Sequence, residues 1–138
     1  MISGTPKRFA DGEVIFEQGA HADQMYVVRR GKVRIYRDQD GKETTLATLK
    51  PQDFFGEMGI FDGKPRSASA QAIGDTELEV VQASDLRAAI GDGLVWDMLK
   101  DMSTRIRETI DDLEKLSVQD TVRREHLASL PIRRNLYL

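Results

Sequence analysis

Hydrophobic positions along this chain follow two different periods, and the change falls near residue 84. Up to about residue 82, apolar residues come in short runs rich in Val, Ile, Phe and Tyr, each closed by turn formers. Residues 13–16 are followed by Gln18 and Gly19, and residues 25–28 lead into Arg30 and Gly31. Residues 32–36 alternate as a half-buried strand does. Residues 38–41 read as a hairpin turn, because Gly41 accepts positive φ and the aspartates bond their own backbone. Residues 44–49 and 78–81 are further strands. Many short strands at this spacing predict a sandwich or barrel.

From Ser84 the period lengthens. Ser84 is the expected N-cap of a short helix over 85–90, ended by Gly91. A long helix is expected from Leu94. Met102, Ile106, Thr109, Leu113 and Leu116 lie three and four apart on one face of it, a heptad-like seam that is apolar except for Thr109. The seam lapses at Asp120 and Arg123 and returns at Leu127 and Leu130, and Pro131 ends regular helix. All eleven glycines lie at or before Gly93, which reinforces the division. The expected organisation is a β unit over 1–93, a long helix over 94–130 and a tail over 131–138.

Composition narrows the function. A net charge of −3 argues against general affinity for nucleic acid, and the absence of cysteine excludes disulfide and thiolate chemistry. No apolar run reaches the ~18 residues that span a bilayer, so a single cytoplasmic domain is expected. A metal-dependent barrel enzyme would need clustered His and carboxylate ligands; the two histidines, His21 and His126, sit far apart in a loop and in the tail. No nucleophile–base pair stands out, so catalysis is not expected.

The stretch over 54–70 carries the chemistry. Two glycines flank an acid, one turn of helix-capable residues follows, and the segment closes on Arg66, Ser67 and Ala68. Gly56 and Gly59 allow close approach of backbone N–H groups to a ligand. Arg66 offers a planar fork suited to two phosphate oxygens, and Ser67 adds a hydroxyl donor. Glu57 would repel phosphate but suits a sugar hydroxyl. Anion site and sugar acceptor together suggest a nucleotide. The alternative is a surface salt bridge between Glu57 and Arg66 across a loop.

This segment resembles the phosphate-binding cassette of cyclic-nucleotide-binding domains, whose pattern Phe–Gly–Glu–Leu/Met–Gly/Ala–Leu/Ile, short insert, Arg–Ser/Thr–Ala is filled in order by residues 55–60 and 66–68. The likeness to the sensor domains of bacterial catabolite activators covers about residues 9–117. It implies a mainly β fold with helices: a double-stranded β-helix, jelly-roll-like barrel with a short cassette helix and a long C-terminal helix. It implies that Arg66 neutralises a cyclic phosphate with Ser67 and the N–H of Ala68, while Glu57 accepts from the ribose 2′-OH. Gly56 and Met58 would add backbone contacts, and Ile35 and Leu46 an apolar wall beside the base. Thr109 would reach the base edge, or be a plain seam position, and Arg105 would lie near the phosphate. Ser67 favours cAMP; relatives that prefer cGMP often carry Thr there.

Two further implications concern assembly. The seam suits a homodimer through the long helix, with an apolar stripe packed on its own barrel as the alternative. The twenty-odd residues after Ser117 hold four arginines against two acids, too short and too weakly basic for a helix-turn-helix reader, so direct DNA binding by this chain is not expected. The output would pass to a downstream protein of unknown kind. The competing view is a sensory fragment of a larger transcription factor, channel or signalling enzyme. One departure stands out: Gln52 occupies the position where the family usually has a turn glycine.

Overall fold

The computed structural model describes residues 4–117, with side chains described through Leu113. Six strands precede the last two helices. In chain order they are β1 (Thr5–Phe9), β2 (Val14–Phe16), β3 (Gln24–Gln39), β4 (Lys42–Leu49) and β5 (Phe54–Phe55), then α1 (Met58–Asp62), β6 (Ser69–Gln82), α2 (Ala83–Ile90) and α3 (Leu94–Ser117). All pairings are antiparallel, in the order β1–β6–β3–β4, with β2 added to β6 and β5 to β3. The fold is mainly β with helices, as expected. The long helix expected over 94–130 is described to Ser117; Leu116, Leu127, Leu130 and the tail fall outside the described side chains.

The two long strands β3 and β6 form the spine. Residues 25–28 and 32–36 read as separate strands divided at Gly31, yet β3 is continuous. Register shifts between Val28 and Lys32 mark bulges, and Gly31 adopts φ 86° there. A side chain at Gly31 would put Cβ 2.5 Å from the Asp75 carbonyl, so the glycine marks close backbone approach inside a bulge rather than a turn. The bulges also absorb an odd step in the pleat: Tyr26 and Val28, then Val33 and Ile35, all face the core. β6 likewise extends far upstream of 78–81. β1 was not anticipated, because it is polar except at Phe9; it lies at a sheet edge, where one core-facing residue suffices.

The Asp40–Gly41 turn matches expectation. Both residues have positive φ and Gln39 pairs with Lys42, the geometry of a two-residue hairpin. Ser84 is not a cap. Gln82 is the N-cap of α2 and makes no side-chain capping bond; β6 passes directly into the helix, and the Ala83 N–H donates to the Asp23 carbonyl at 2.9 Å. Gly91 ends α2 as expected.

Two apolar clusters hold the structure. Phe9, Tyr26, Val28, Val33, Ile35, Leu49, Phe55 and Leu78 gather in the core enclosed by the sheet. Ile60, Val81, Leu86 and Trp96 fasten the helices to one end of it. On α3 the buried positions are Trp96, Ser103 and Ile110. The seam residues Met102 and Thr109 are exposed, and Ile106 and Leu113 are half-buried. The seam and the buried face, which packs chiefly on α1 and α2, therefore differ, about 100° apart around the helix.

Candidate nucleotide-binding site

The cassette is built outward from Phe55. This fully buried ring stacks on Tyr26 at 5.1 Å and meets Phe16 at 5.9 Å, fixing the end of β5. The chain then turns through Gly56 at φ 83°, where a Cβ would lie 2.8 Å from Nη1 of Arg66. Only glycine lets this backbone meet that guanidinium. α1 begins at Met58, as expected, and closes on Gly63 in the left-handed region, whose N–H donates to the Gly59 carbonyl at 3.0 Å. Gly59 permits a second close approach: its Cβ would fall 2.4 Å from Cβ of Ala22.

Arg66 returns to the same spot from ten residues further along. Its backbone is clamped to the loop after β2: its N–H donates to the Ala20 carbonyl at 2.8 Å, and its own carbonyl accepts from Gly19 at 2.9 Å. The side chain is only 6% exposed. Nη1 donates to the Gly56 carbonyl, Nη2 donates to the Gln24 carbonyl at 2.6 Å, and the guanidinium lies 4.1 Å from the centre of the Phe16 ring. Nε is buried without a hydrogen-bond partner among the described residues.

Glu57 sits beside it. The residue is half-buried, but its Oε2 is covered and unpartnered among the described residues. Burial pushes its carboxyl up to about 7, against the opposing pull of its own backbone N–H and of Arg66 and Arg107. Burial also depresses the Arg66 pKa, a cost that the nearby Tyr26, Asp23 and Glu57 partly offset. A surface salt bridge between Glu57 and Arg66 is therefore not what the chain forms: both groups are covered, and each keeps an unpaired polar atom. A buried cation with a spare donor beside an acid with a spare acceptor is a site for a ligand carrying both an anion and a hydroxyl.

This arrangement lies within residues 6–92, the stretch that matches the family model for the cyclic nucleotide-binding domain. The chain belongs to that family. Among curated relatives, the CRP-like cAMP-activated global transcriptional regulator of Mycobacterium tuberculosis is 34% identical over 118 residues, covering 83% of this chain and 53% of that protein. The cyclic AMP receptor protein of Thermus thermophilus is 36% identical over 129 residues, covering 91% of this chain and 60% of that one. The chain thus spans somewhat more than half the length of these relatives. Among solved structures, the cAMP-bound and cGMP-bound forms of the EAL enzyme Bd1971 superpose with TM-scores of 0.65 and 0.66 at 28% identity. Each match covers 83% of this chain and about a third of that one.

The other expected site residues divide. Met58 and Ala68 are buried and Ser67 is half-buried, its carbonyl accepting from Nε of Arg37 at 2.7 Å. Ile35 is fully buried in the core of this cyclic-nucleotide-binding domain, and Leu46 packs half-buried against the same cluster. Arg105 and Thr109 are exposed, and the Thr109 hydroxyl donates to the Arg105 carbonyl at 2.8 Å, the ordinary use of a helical threonine. Arg107 also reaches the cassette from α3 and pairs with Asp62 at the end of α1. Its signal was present in the sequence: Ser103, Arg107 and Ile110 share one helical stripe, beside the seam that drew attention. Together with Lys64, Pro65, Ser67 and Arg37, Arg107 and Ile110 line a cleft of about 250 Å³.

The turn at Gln52 keeps the glycine conformation. Gln52 has φ 82° after Pro51, the pattern of a type II turn, and its N–H donates to the Val28 carbonyl at 2.9 Å. The departure from the family pattern changes the residue and leaves the turn in place.

Proposed function

We propose that this chain binds a cyclic purine nucleotide, cAMP in preference to cGMP, as a sensor module with no catalytic step of its own. The observation that carries the reading is the guanidinium of Arg66, buried against the glycine turn at Gly56 and flanked by the covered carboxyl of Glu57. In this reading Arg66 neutralises the cyclic phosphate, joined by the Ser67 hydroxyl and the Ala68 N–H. Glu57 accepts from the ribose 2′-OH. Gly56 and Met58 contribute backbone contacts, and Ile35 and Leu46 the apolar side. The cAMP preference rests on Ser67 and on the names of the two curated relatives.

Calorimetric titration with cAMP and cGMP tests it. The wild-type chain should bind, and Arg66→Ala should lose about 2–5 kcal/mol of binding free energy, because the buried phosphate charge is left without its partner. Equal affinity in the two proteins would place any site elsewhere.

The assembly proposed is a homodimer through α3, with output to a downstream protein and no direct contact with DNA or membrane by this chain. Leu94, Val95, Met98, Met102 and, from β5, Phe54 are each at least half exposed, forming an apolar surface beside the buried stripe of Trp96, Ser103 and Ile110. Among the described residues, no helix is long and apolar enough to cross a membrane. A second reading, that this is the sensory part of a larger regulator, is favoured by the share of each relative that it spans. The intact gene product's mass separates the two.

A further inference from the structure

α1 is five residues long, too short to hold its own position, and it carries an unusual last residue. Asp62 places a carboxylate at a helix C-terminus, where the helix dipole disfavours it. Its side chain is nonetheless 1% exposed. Arg107 of α3, 12% exposed, donates to both carboxylate oxygens from Nε and Nη2. Arg107 also lies over Gly59 of the same helix, with Nη2 3.7 Å from where a Cβ would stand. By contrast the ion pair of Arg87 with Asp92, next to α2, is exposed and joins neighbours in sequence. Beside the ring contact of Phe61 with Trp96, the cassette and α3 are thus joined by a buried, two-pronged charge pair.

Building on the nucleotide-binding reading, we infer that the Arg107–Asp62 pair is the link through which occupation of the cassette sets the position of α3. Arg107 is a positioning residue: it acts on the ligand through Asp62 and α1. The physical route is short. Arg66 now spends its two terminal nitrogens on the carbonyls of Gly56 and Gln24. A cyclic phosphate competes for those same donors, so the Gly56 carbonyl is released and the turn that leads into α1 is free to shift. α1 moves as one turn of helix, and Asp62 at its far end carries Arg107 and α3 with it. Bidentate geometry matters here, since a single hydrogen bond would swivel where two parallel ones transmit. Arg107 is also close enough for its charge to act on both Glu57 and Arg66, so a displacement in either direction changes the field at the site. The coupling is reciprocal: an α3 held in one place must alter cassette affinity.

Hydrogen exchange of α3 amides, measured with and without saturating cAMP, tests this on the full chain. In wild type, cAMP should change exchange across residues 99–110 by about tenfold. In Arg107→Gln and in Asp62→Asn that response should vanish, while cAMP affinity by calorimetry falls by no more than about tenfold. Arg107→Lys, which keeps charge but loses the fork, should show a partial response. The exchanged pair, Asp62→Arg with Arg107→Asp, should recover it, a result that general loosening of the fold does not produce. A full cAMP response of α3 in Arg107→Gln, or no response in cAMP-bound wild type, overturns the inference and leaves the nucleotide reading standing. Failure of wild type to bind either cAMP or cGMP overturns both.

Discussion

The sheet with its cassette and the helix α3 are held by different physics. In the sheet, Val28, Val33, Ile35, Leu49, Phe55 and Leu78 are shut off from solvent, and the cassette hangs from them through Phe55 and the backbone clamps on Arg66. In α3, among the described side chains, only Trp96, Ser103 and Ile110 are buried, and its attachment relies on Trp96 against Phe61, at 5.0 Å, and on the Arg107–Asp62 pair. One region is a packed framework and the other is fastened at a few points. A sensor needs this contrast: a site that stays formed beside an element whose position is free to be biased.

The largest test of the contrast removes a framework residue. Phe55→Ala should destabilise the chain by about 3–5 kcal/mol, since it empties a site surrounded by Phe16, Tyr26 and the core and leaves them little room to collapse. Urea denaturation followed by far-UV circular dichroism measures it. A loss below about 1 kcal/mol would mean that the cassette does not depend on this ring.

Next in size is Glu57, where the framework bears a cost. In the unfolded chain its carboxyl ionises near 4.5; in the folded one burial moves this to about 7. Between those values the folded state holds the proton more tightly. Stability is therefore fully present below about pH 4.5, falls as pH rises, and levels off above about pH 7. The difference is on the order of 3 kcal/mol. Glu57→Gln stays neutral throughout, so its stability should be flat over this window and exceed wild type at pH 8. Parallel curves for the two proteins from pH 4.5 to 8 would place the carboxyl in water.

How much of this was legible follows the same division. The cassette could be read because its function depends on a contiguous run: Gly56, Glu57, Gly59, Arg66 and Ser67 sit within a dozen residues, and each is required by local geometry. The orientation of α3 could not. Periodicity located an apolar seam at Met102, Ile106 and Leu113, but it cannot say which stripe of a helix packs on the rest of its own chain. Arg105 and Thr109 were assigned by position in the resembled family; the stripe that packs on the chain's own fold is that of Ser103, Arg107 and Ile110. Strand ends were misread for another reason. Gly31 carries the signature of a turn, and the bulge it serves is visible only once β3 and β6 pair across it. Ser84 failed as a cap because tertiary contact from Asp23 satisfies the start of α2.

A smaller effect is expected at the turn feeding the cassette. Gln52 holds φ 82°, a conformation that costs a side-chain-bearing residue about 1–2 kcal/mol. Gln52→Gly removes that strain and adds freedom to the unfolded chain worth about 0.5–1 kcal/mol. A net stabilisation of about 0.5–1 kcal/mol should appear as a higher urea midpoint at unchanged slope. A lower midpoint would show that the Gln52 side chain, 3.5 Å from Nη1 of Arg29, contributes more than the backbone strain removes.

The smallest effect is expected on the outer face of α3, and its smallness is the point. Met102 is half exposed and lies on the seam, at the rim of a cleft that Ser103 and Ile106 share with Phe54 and Met58. If that face serves a second copy of the chain, Met102→Gln should leave the stability of the dilute, monomeric chain within about 0.5 kcal/mol of wild type. The melting temperature of wild type should instead rise with protein concentration, and that rise should be reduced in the variant, because association stabilises by mass action. Sedimentation at the same concentrations supplies the mass. A wild-type melting temperature independent of concentration would remove the dimer. A loss of more than about 1 kcal/mol in the dilute variant would make Met102 part of the single-chain fold, and the separation of α3 into an inner, fastening face and an outer, pairing face would no longer hold.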